Sequence, residues 1–223
     1  MKKTVGLIFL LFYLNAQNLQ YKPYLQSVYK VSTLGLGGDL AVAFNPTFVS
    51  RVTYNVFSLH RHINYDGKKF YLKALMQNSG LLFDVHPWQN AFFFSWGAYY
   101  CKDDIKVFYK PKSNKIVVGD HTYPAREIGN VTTTINLKRR INPYFGIGFN
   151  SVDYNNKWHF TFDIGAIYTG AAKAKVSAVA AKGFEGIQDI LDSEAKIEEK
   201  KINAKLKRYK FYPVVSVGIA VKF

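Results

Sequence analysis

The chain has 223 residues, of which 48% are hydrophobic and 17% aromatic, so it can bury a sizeable core and is not an intrinsically disordered protein. Thirty basic residues against 15 acidic ones give a formal net charge of +15, which indicates either an anionic partner or a basic solvated surface. Cys101 is the single cysteine, which excludes an intrachain disulfide.

The first 16 residues have the pattern of a secretory signal. Lys2 and Lys3 precede an apolar run from Val5 to Leu14, and the small residue Ala16 marks the expected cleavage site. A membrane anchor is the weaker interpretation, because the run is much shorter than the roughly 20 residues that span a bilayer as a helix. Residues 17–223 are then the exported domain, for which lipopolysaccharide, and not nucleic acid, is the expected anionic partner.

Seven later segments alternate large apolar side chains with small or polar ones. Alternation with period two puts successive side chains on opposite faces of a strand, as in a barrel wall between lipid and lumen. A soluble β-sandwich fits less well, because its outward faces would be polar. The segments are 28–44, 47–63, 69–85, 91–109, 131–149, 157–169 and 211–223.

A bacterial barrel with both termini in the periplasm needs an even number of strands, so seven segments imply a hidden one. The best candidate is Ala171–Ala181, after the break at Thr169 and Gly170; a division of 131–149 near Arg139 would give more strands. The sequence therefore predicts an all-β, antiparallel, up-and-down transmembrane β-barrel of eight strands.

Two long loops interrupt the strands. In 110–130, the pair Gly119-Asp120 between two β-prone runs predicts a small hairpin. In 183–210, apolar residues at helical spacing predict one amphipathic helix before the last strand. We expect the basic second half of this loop to bind anionic surfaces such as lipopolysaccharide, with a solvated basic face as the alternative. Its residues are Lys200, Lys201, Lys205, Lys207 and Arg208.

The last strand, FYPVVSVGIAVKF, is expected to engage the barrel-assembly machinery. It ends on an aromatic residue, and the candidate recognition residues are Tyr212 and Phe223. Within this strand, Val217 and Ile219 are predicted to face lipid, whereas Ser216 and Ala220 face the lumen.

Five charged residues fall on predicted lumen faces. They are Asp39, Arg51, Asp84, Asp163 and Lys222. Burial of an unpaired charge is costly, so these residues are predicted to form a polar network. Such a network would fill an eight-stranded barrel, whose interior is only wide enough for side chains. The alternative is a polar path for small solutes.

The order of phrases along the chain runs from TLGLG through GLLFDVHPWQNAFFFSWGAYY and WHFTFDIGAIYTG to YPVVSVGIAVKF. Together they resemble a group of small, uncharacterised proteobacterial outer-membrane β-barrel proteins. The resemblance implies this fold and location, and it carries no agreed substrate and no catalytic residues. Outer-membrane lipid is the expected partner of such a barrel. The helix departs from the group, because its second half is basic where the group is acid-rich.

The histidines give no convincing catalytic or metal site. Asp84 and His86 share a strand face but have no serine in a nucleophile context, and His60 and His62 are a weak metal pair. No cofactor is predicted. The sequence thus predicts a non-enzymatic outer-membrane barrel with a filled lumen, acting in membrane integrity or surface interaction. The alternatives are a narrow porin-like channel and, less favoured, a lipopolysaccharide-modifying enzyme.

Overall fold

The computed structural model describes residues 22–65, 68–110, 115–118, 121–150 and 157–223. The predicted signal, 1–16, lies outside these residues. Within them the chain forms twelve strands and one α-helix, with single 3-10 turns at Ala125–Glu127 and Glu185–Ile187. The elements are β1 (Tyr24–Ser32), β2 (Gly35–Ala43), β3 (Phe48–Tyr65), β4 (Lys68–Val85), β5 (Phe92–Tyr109), β6 (Lys115–Val118), β7 (His121–Pro124), β8 (Ile128–Asn136), β9 (Ile141–Asn150), β10 (Trp158–Tyr168), β11 (Lys173–Ala180), α1 (Gln188–Leu206) and β12 (Phe211–Lys222).

Eight of the described strands close into an antiparallel barrel. Its wall runs in the order β1, β2, β3, β4, β5, β9, β10 and β12, and β12 pairs back onto β1. Each wall strand neighbours the wall strand that precedes it along the chain, which is an up-and-down topology. The structure thus confirms the predicted transmembrane β-barrel with eight strands and a helix before the last strand.

The eighth wall strand is not the one that the sequence predicted. Segment 28–44 is two strands, β1 and β2, which turn at Thr33 and Leu34. The Ser32 hydroxyl accepts from the Leu34 N–H at 3.1 Å, and Gly35 has a φ of +105°, which favours glycine. A single strand over 28–44 with Asp39 on its lumen face would point Leu34 toward lipid, but Leu34 is buried in the lumen at 2% exposure.

The prediction that Ala171–Ala181 forms a wall strand is wrong. This segment forms β11, which pairs with β8 beyond the barrel wall. Segment 131–149 divides near Arg139, as its alternative allowed: β8 pairs with the far half of β5 and β9 with the near half. The far halves of β3, β4 and β5, together with β8 and β11, form one continuous extension that we call the distal sheet.

The two ends of the barrel differ in the length of their connections. The proximal end carries the start of β1, the end of β12 and the turns at 44–47 and 86–91. The distal end carries the distal sheet, α1 and the ribbon of β6 and β7, whose predicted turn Gly119-Asp120 lies outside the described residues. Transmembrane barrels have short periplasmic turns and long extracellular loops, a difference that matches the proximal and distal ends of this barrel.

Helix α1 covers the edge of the distal sheet. Its apolar residues Leu191 and Ala195 pack with Val176 and Ala178 of β11. The Asn203 amide also accepts from the Ala174 N–H at 2.8 Å and donates to the Ala174 carbonyl at 3.0 Å. An uncovered edge strand would expose unpaired backbone groups, and α1 satisfies them.

A second side-chain contact joins α1 to the ribbon. Glu194 is buried at 6% exposure, and its Oε1 lies 2.7 Å from Nδ1 of the exposed His121 on β7.

In the part of the chain that the structure describes, no helix combines the length and apolar character needed to cross a membrane.

Candidate functional site

The outer surface of the barrel wall is apolar. Leu36, Phe145 and Phe160 are between 67% and 71% exposed, an exposure that suits lipid and not water. Exposed aromatic rings mark its two rims. Tyr54 and Tyr100 lie toward the distal end, and Trp158 lies at the proximal end. Such aromatic belts are typical of membrane interfaces.

Arg51 lies at the centre of the lumen. It is an inward position of β3, between Ala41 of β2 and Leu82 of β4 in the strand register. Its Nε lies 2.9 Å from the carboxylate of Asp84, Nη1 lies 3.2 Å from Asp39, and Nη2 lies 2.7 Å from Asp163. One guanidinium thus contacts carboxylates from three other wall strands.

A second cation completes this cluster. Lys30 Nζ lies 2.6 Å from the Asp39 carboxylate, and the Ser216 hydroxyl donates to Asp163 at 3.0 Å. Arg51, Lys30 and the three aspartates are each at most 7% exposed. We call these five residues the charge cluster, in which two cations face three carboxylates.

The five charged residues predicted for the lumen network do not all meet. Asp39, Arg51, Asp84 and Asp163 are brought together in the charge cluster. Lys222 instead lies at the proximal end of β12, with its Nζ 4.2 Å from the centre of the Tyr24 ring. The sequence does not predict Lys30 as a member of the cluster, because a single strand over 28–44 with Asp39 facing the lumen would point Lys30 toward lipid.

An apolar layer fills the lumen on the distal side of the charge cluster. The rings of Tyr99 and Tyr144 meet edge to face at 5.4 Å, beside Leu82 and Ile167. Gly146 and Gly165 border the Tyr144 hydroxyl so closely that a side chain at either position would collide with it. These glycines therefore make room for the tyrosine that closes the lumen.

A small cavity lies on the proximal side of the charge cluster. Its volume is about 30 Å³, and its lining includes Arg51, Asp84, His86 and Phe93. The Phe93 ring also packs against the guanidinium, with its centre 5.4 Å from the Arg51 Cζ. A cavity of this size holds only one or two water molecules. The charge cluster and the apolar layer together fill the lumen with side chains.

The two candidate histidine pairs lie at opposite ends of the barrel. The Asp84 carboxylate binds Arg51, whereas His86 Nδ1 hydrogen-bonds the carbonyl of Asn90 at 2.8 Å and burial lowers the His86 pKa. His60 and His62 are exposed on the outer surface of the distal sheet. Among the described residues, no group of three or more His, Cys, Asp or Glu side chains is placed to hold a metal ion.

The remaining predicted site residues lie at the surface or at the ends of β12. Phe223 is 75% exposed at the proximal end, whereas Tyr212 lies at the distal end, where its hydroxyl donates to the Thr33 carbonyl at 2.7 Å. A role of these two residues in barrel assembly stays a prediction. The basic residues of the helical loop are all exposed: Lys200, Lys201, Lys205, Lys207 and Arg208.

The fold and lumen define a transmembrane β-barrel whose interior is filled by its own side chains. Two crystal structures from Acinetobacter baumannii are similar. CarO is 23% identical with a TM-score of 0.61, over 89% of this chain and 97% of that chain. CarO2 is 19% identical with a TM-score of 0.58, over 91% of this chain and 100% of that chain.

The similarity to CarO and CarO2 at these identities shows the fold alone, which is that of outer-membrane β-barrels. No protein-family model matches the sequence. No curated protein matches it either. The grouping with uncharacterised proteobacterial barrels therefore stays a prediction.

Proposed function

We propose that this chain is a non-enzymatic protein of a Gram-negative outer membrane, exported by a cleaved signal peptide. Its sealed barrel holds the distal sheet and α1 at the cell surface, where they act in membrane integrity or in contacts with surface molecules. The observation that carries this proposal is the filled lumen, in which Arg51 joins three carboxylates below the Tyr99 and Tyr144 rings.

Electrostatics support a structural role for the charge cluster. Taking charges out of water costs several kcal/mol per ion, and mutual pairing offsets that cost only in good geometry. The bonds of Arg51 to Asp84 and Asp163, at 2.9 and 2.7 Å, have such geometry. A guanidinium that is bonded to these carboxylates is part of the side-chain filling of the lumen. It is not available to bind a passing solute.

The distribution of structure supports a role at the surface. The barrel has eight strands, so its interior is only wide enough for side chains. In contrast, β3, β4 and β5 each run for 18 residues and extend well beyond the wall. The distal sheet is further enlarged by β8, β11 and α1. A chain that only had to seal a barrel would not need this extension.

Planar-bilayer conductance of the refolded full chain tests the proposal. We expect no steady conductance above that of the lipid alone. Arg51→Ala should make the barrel leak ions, because it removes side-chain volume from the lumen and leaves the carboxylates of the charge cluster without their guanidinium partner. Arg61→Ala is the matched control: Arg61 lies on the same strand but is exposed in the distal sheet, so the barrel should stay closed. Steady, ion-selective conductance of the wild-type protein would contradict the sealed lumen.

A narrow channel is the second candidate, and one observation favours it. The small cavity beside Arg51 is lined partly by polar side chains, including Gln26, Thr161 and Asn150. A path through the barrel would require the apolar layer to move. The conductance measurement separates the two candidates directly.

A further inference from the structure

The outward residues of β5 change character where the strand leaves the barrel wall. Phe94, Trp96 and Tyr100 are exposed on the apolar belt. The next outward positions are Lys102, Asp104, Lys106 and Phe108, because outward side chains alternate along the strand. The outer surface of the distal sheet is therefore charged directly beyond the tyrosine at the rim of the belt.

Cations at one level of the distal sheet form a row across its strands. Lys175 pairs with Thr134, Thr134 with Lys106, Lys106 with Lys73, and Lys73 with His60. Three strand spacings of about 4.8 Å separate Lys175 from Lys73, so the three lysines of this row span about 14 Å. Lys73 and Lys106 are directly opposite each other, an arrangement that is destabilising unless an anion lies between the two charges.

More cations lie between this row and the membrane rim. Lys102 and Lys173 are exposed on the same outer surface, and Arg140 Nη1 lies 3.4 Å from the hydroxyl of Tyr100. Among the ion pairs of the described residues, Asp104 is the one carboxylate that joins this surface, at 3.1 Å from Lys106. We call Lys73, Lys102, Lys106, Arg140, Lys173 and Lys175 the basic face.

Three aromatic rings continue the outer surface beyond the basic face. His62 pairs with Tyr71, and Tyr71 pairs with Phe108, on adjacent strands. Their ring centres are 4.9 Å apart for His62 and Tyr71, and 6.1 Å apart for Tyr71 and Phe108. Neighbouring aromatic rings beside cations are suited to pack against sugar rings that carry phosphate groups.

We propose that the outer surface of the distal sheet binds lipopolysaccharide. From the membrane outward, the surface presents the apolar wall, the basic face and the three rings. Lipopolysaccharide presents acyl chains, phosphates and core sugars in the same order. This assignment rests on the proposed location in the outer membrane, and it names a site separate from the basic residues of the helical loop.

The test measures binding of purified, fluorescently labelled lipopolysaccharide, with its phosphorylated inner core, to the refolded full chain in detergent micelles. Lys73→Gln, Lys106→Gln and Lys175→Gln are combined in one variant. We expect its affinity to fall by at least about tenfold, because each of the three cations contributes to the attraction of anionic headgroups. Arg126, Lys182 and Lys196 are exposed outside this surface. Their combined change to Gln removes the same charge and should lower affinity by less than about twofold.

Equal losses in the two triple variants would overturn the proposal, because they would show attraction by net charge alone. Dephosphorylated lipopolysaccharide should bind the wild-type protein as weakly as the intact molecule binds the Lys73, Lys106 and Lys175 variant. Phosphatidylglycerol vesicles should bind the two variants alike; a selective loss there would mean that the surface recognises any anionic lipid.

The aromatic part has its own test. Tyr71→Ser with Phe108→Ser should weaken binding of lipopolysaccharide that carries core sugars, whereas binding of lipid A alone should not change. Equal effects on both probes would overturn the stacking of sugars on these rings. The heat-dependent mobility of each variant on gel electrophoresis establishes that the barrel is folded. Conductance is measured separately, so failure of lipopolysaccharide binding and failure of the sealed lumen are distinguishable.

Discussion

At the scale of single residues, Arg51 holds the charge cluster together. Replacement by methionine keeps much of the volume but leaves buried aspartates without their main partner, so we expect a loss of about 3 to 5 kcal/mol in the free energy of unfolding. Asp84→Asn should cost less, because two carboxylates then face two cations. Guanidinium unfolding of the protein in lipid vesicles measures both. Equal losses would show that the cluster does not depend on its central cation.

The sequence could place most of this cluster but not all of it. Alternation along separate strands puts Asp39, Arg51 and Asp163 on lumen faces, since side-chain direction has period two. It does not place Lys30, because the inward side chains change from even positions in β1 to odd positions in β2, at a turn that carries no Asn-Gly or Asp-Gly signal. The contact of Lys30 with Asp39 appears only when segment 28–44 is folded back on itself.

At the scale of elements, the register of β12 assigns each of its residues to lipid or lumen. Val217 is 55% exposed at the middle of the strand, whereas Phe211 is exposed at its distal end. Val217→Arg should therefore destabilise the barrel by about 2 to 4 kcal/mol, and Phe211→Arg by about 0 to 1 kcal/mol. The measurement is denaturant unfolding in vesicles. Equal costs at both positions would contradict a membrane whose midplane lies near Val217.

The contact of α1 with β11 gives a second prediction at this scale. Asn203→Leu removes the two hydrogen bonds to Ala174, leaving its backbone groups unpaired at a cost of about 1 to 3 kcal/mol. We expect faster hydrogen exchange in β11, with no change in β1 or β2. Lys196→Leu, on an exposed position of the same helix, is the control. Unchanged exchange in β11 would show that apolar packing alone holds the helix.

The misplaced strand has a physical explanation at the same scale. Alternation with period two identifies a strand but does not say which strand it pairs with, so the pattern of Ala171–Ala181 alone predicts a wall strand. The chain leaves the wall after Tyr168, where Gly170 adopts a φ of +67°, and β11 then pairs with β8. The sequence of β11 itself does not indicate that its partner is β8. That pairing depends on the division of segment 131–149 into β8 and β9.

At the scale of the whole molecule, positive charge is concentrated beyond the distal rim. The helical loop contributes exposed Lys200, Lys205 and Arg208 to this excess, with Lys201 and Lys207 between them. Changing all five to Gln should remove most of the salt dependence of adhesion to anionic vesicles, because exposed charges are screened beyond about 8 to 10 Å at physiological salt. Vesicle binding by the protein in nanodiscs, measured from low to high salt, gives the slope. Asp189→Asn, which removes an exposed acid from the same helix, should instead strengthen adhesion at low salt. An unchanged slope in the five-residue variant would identify these bases as a solvated face without an anionic partner.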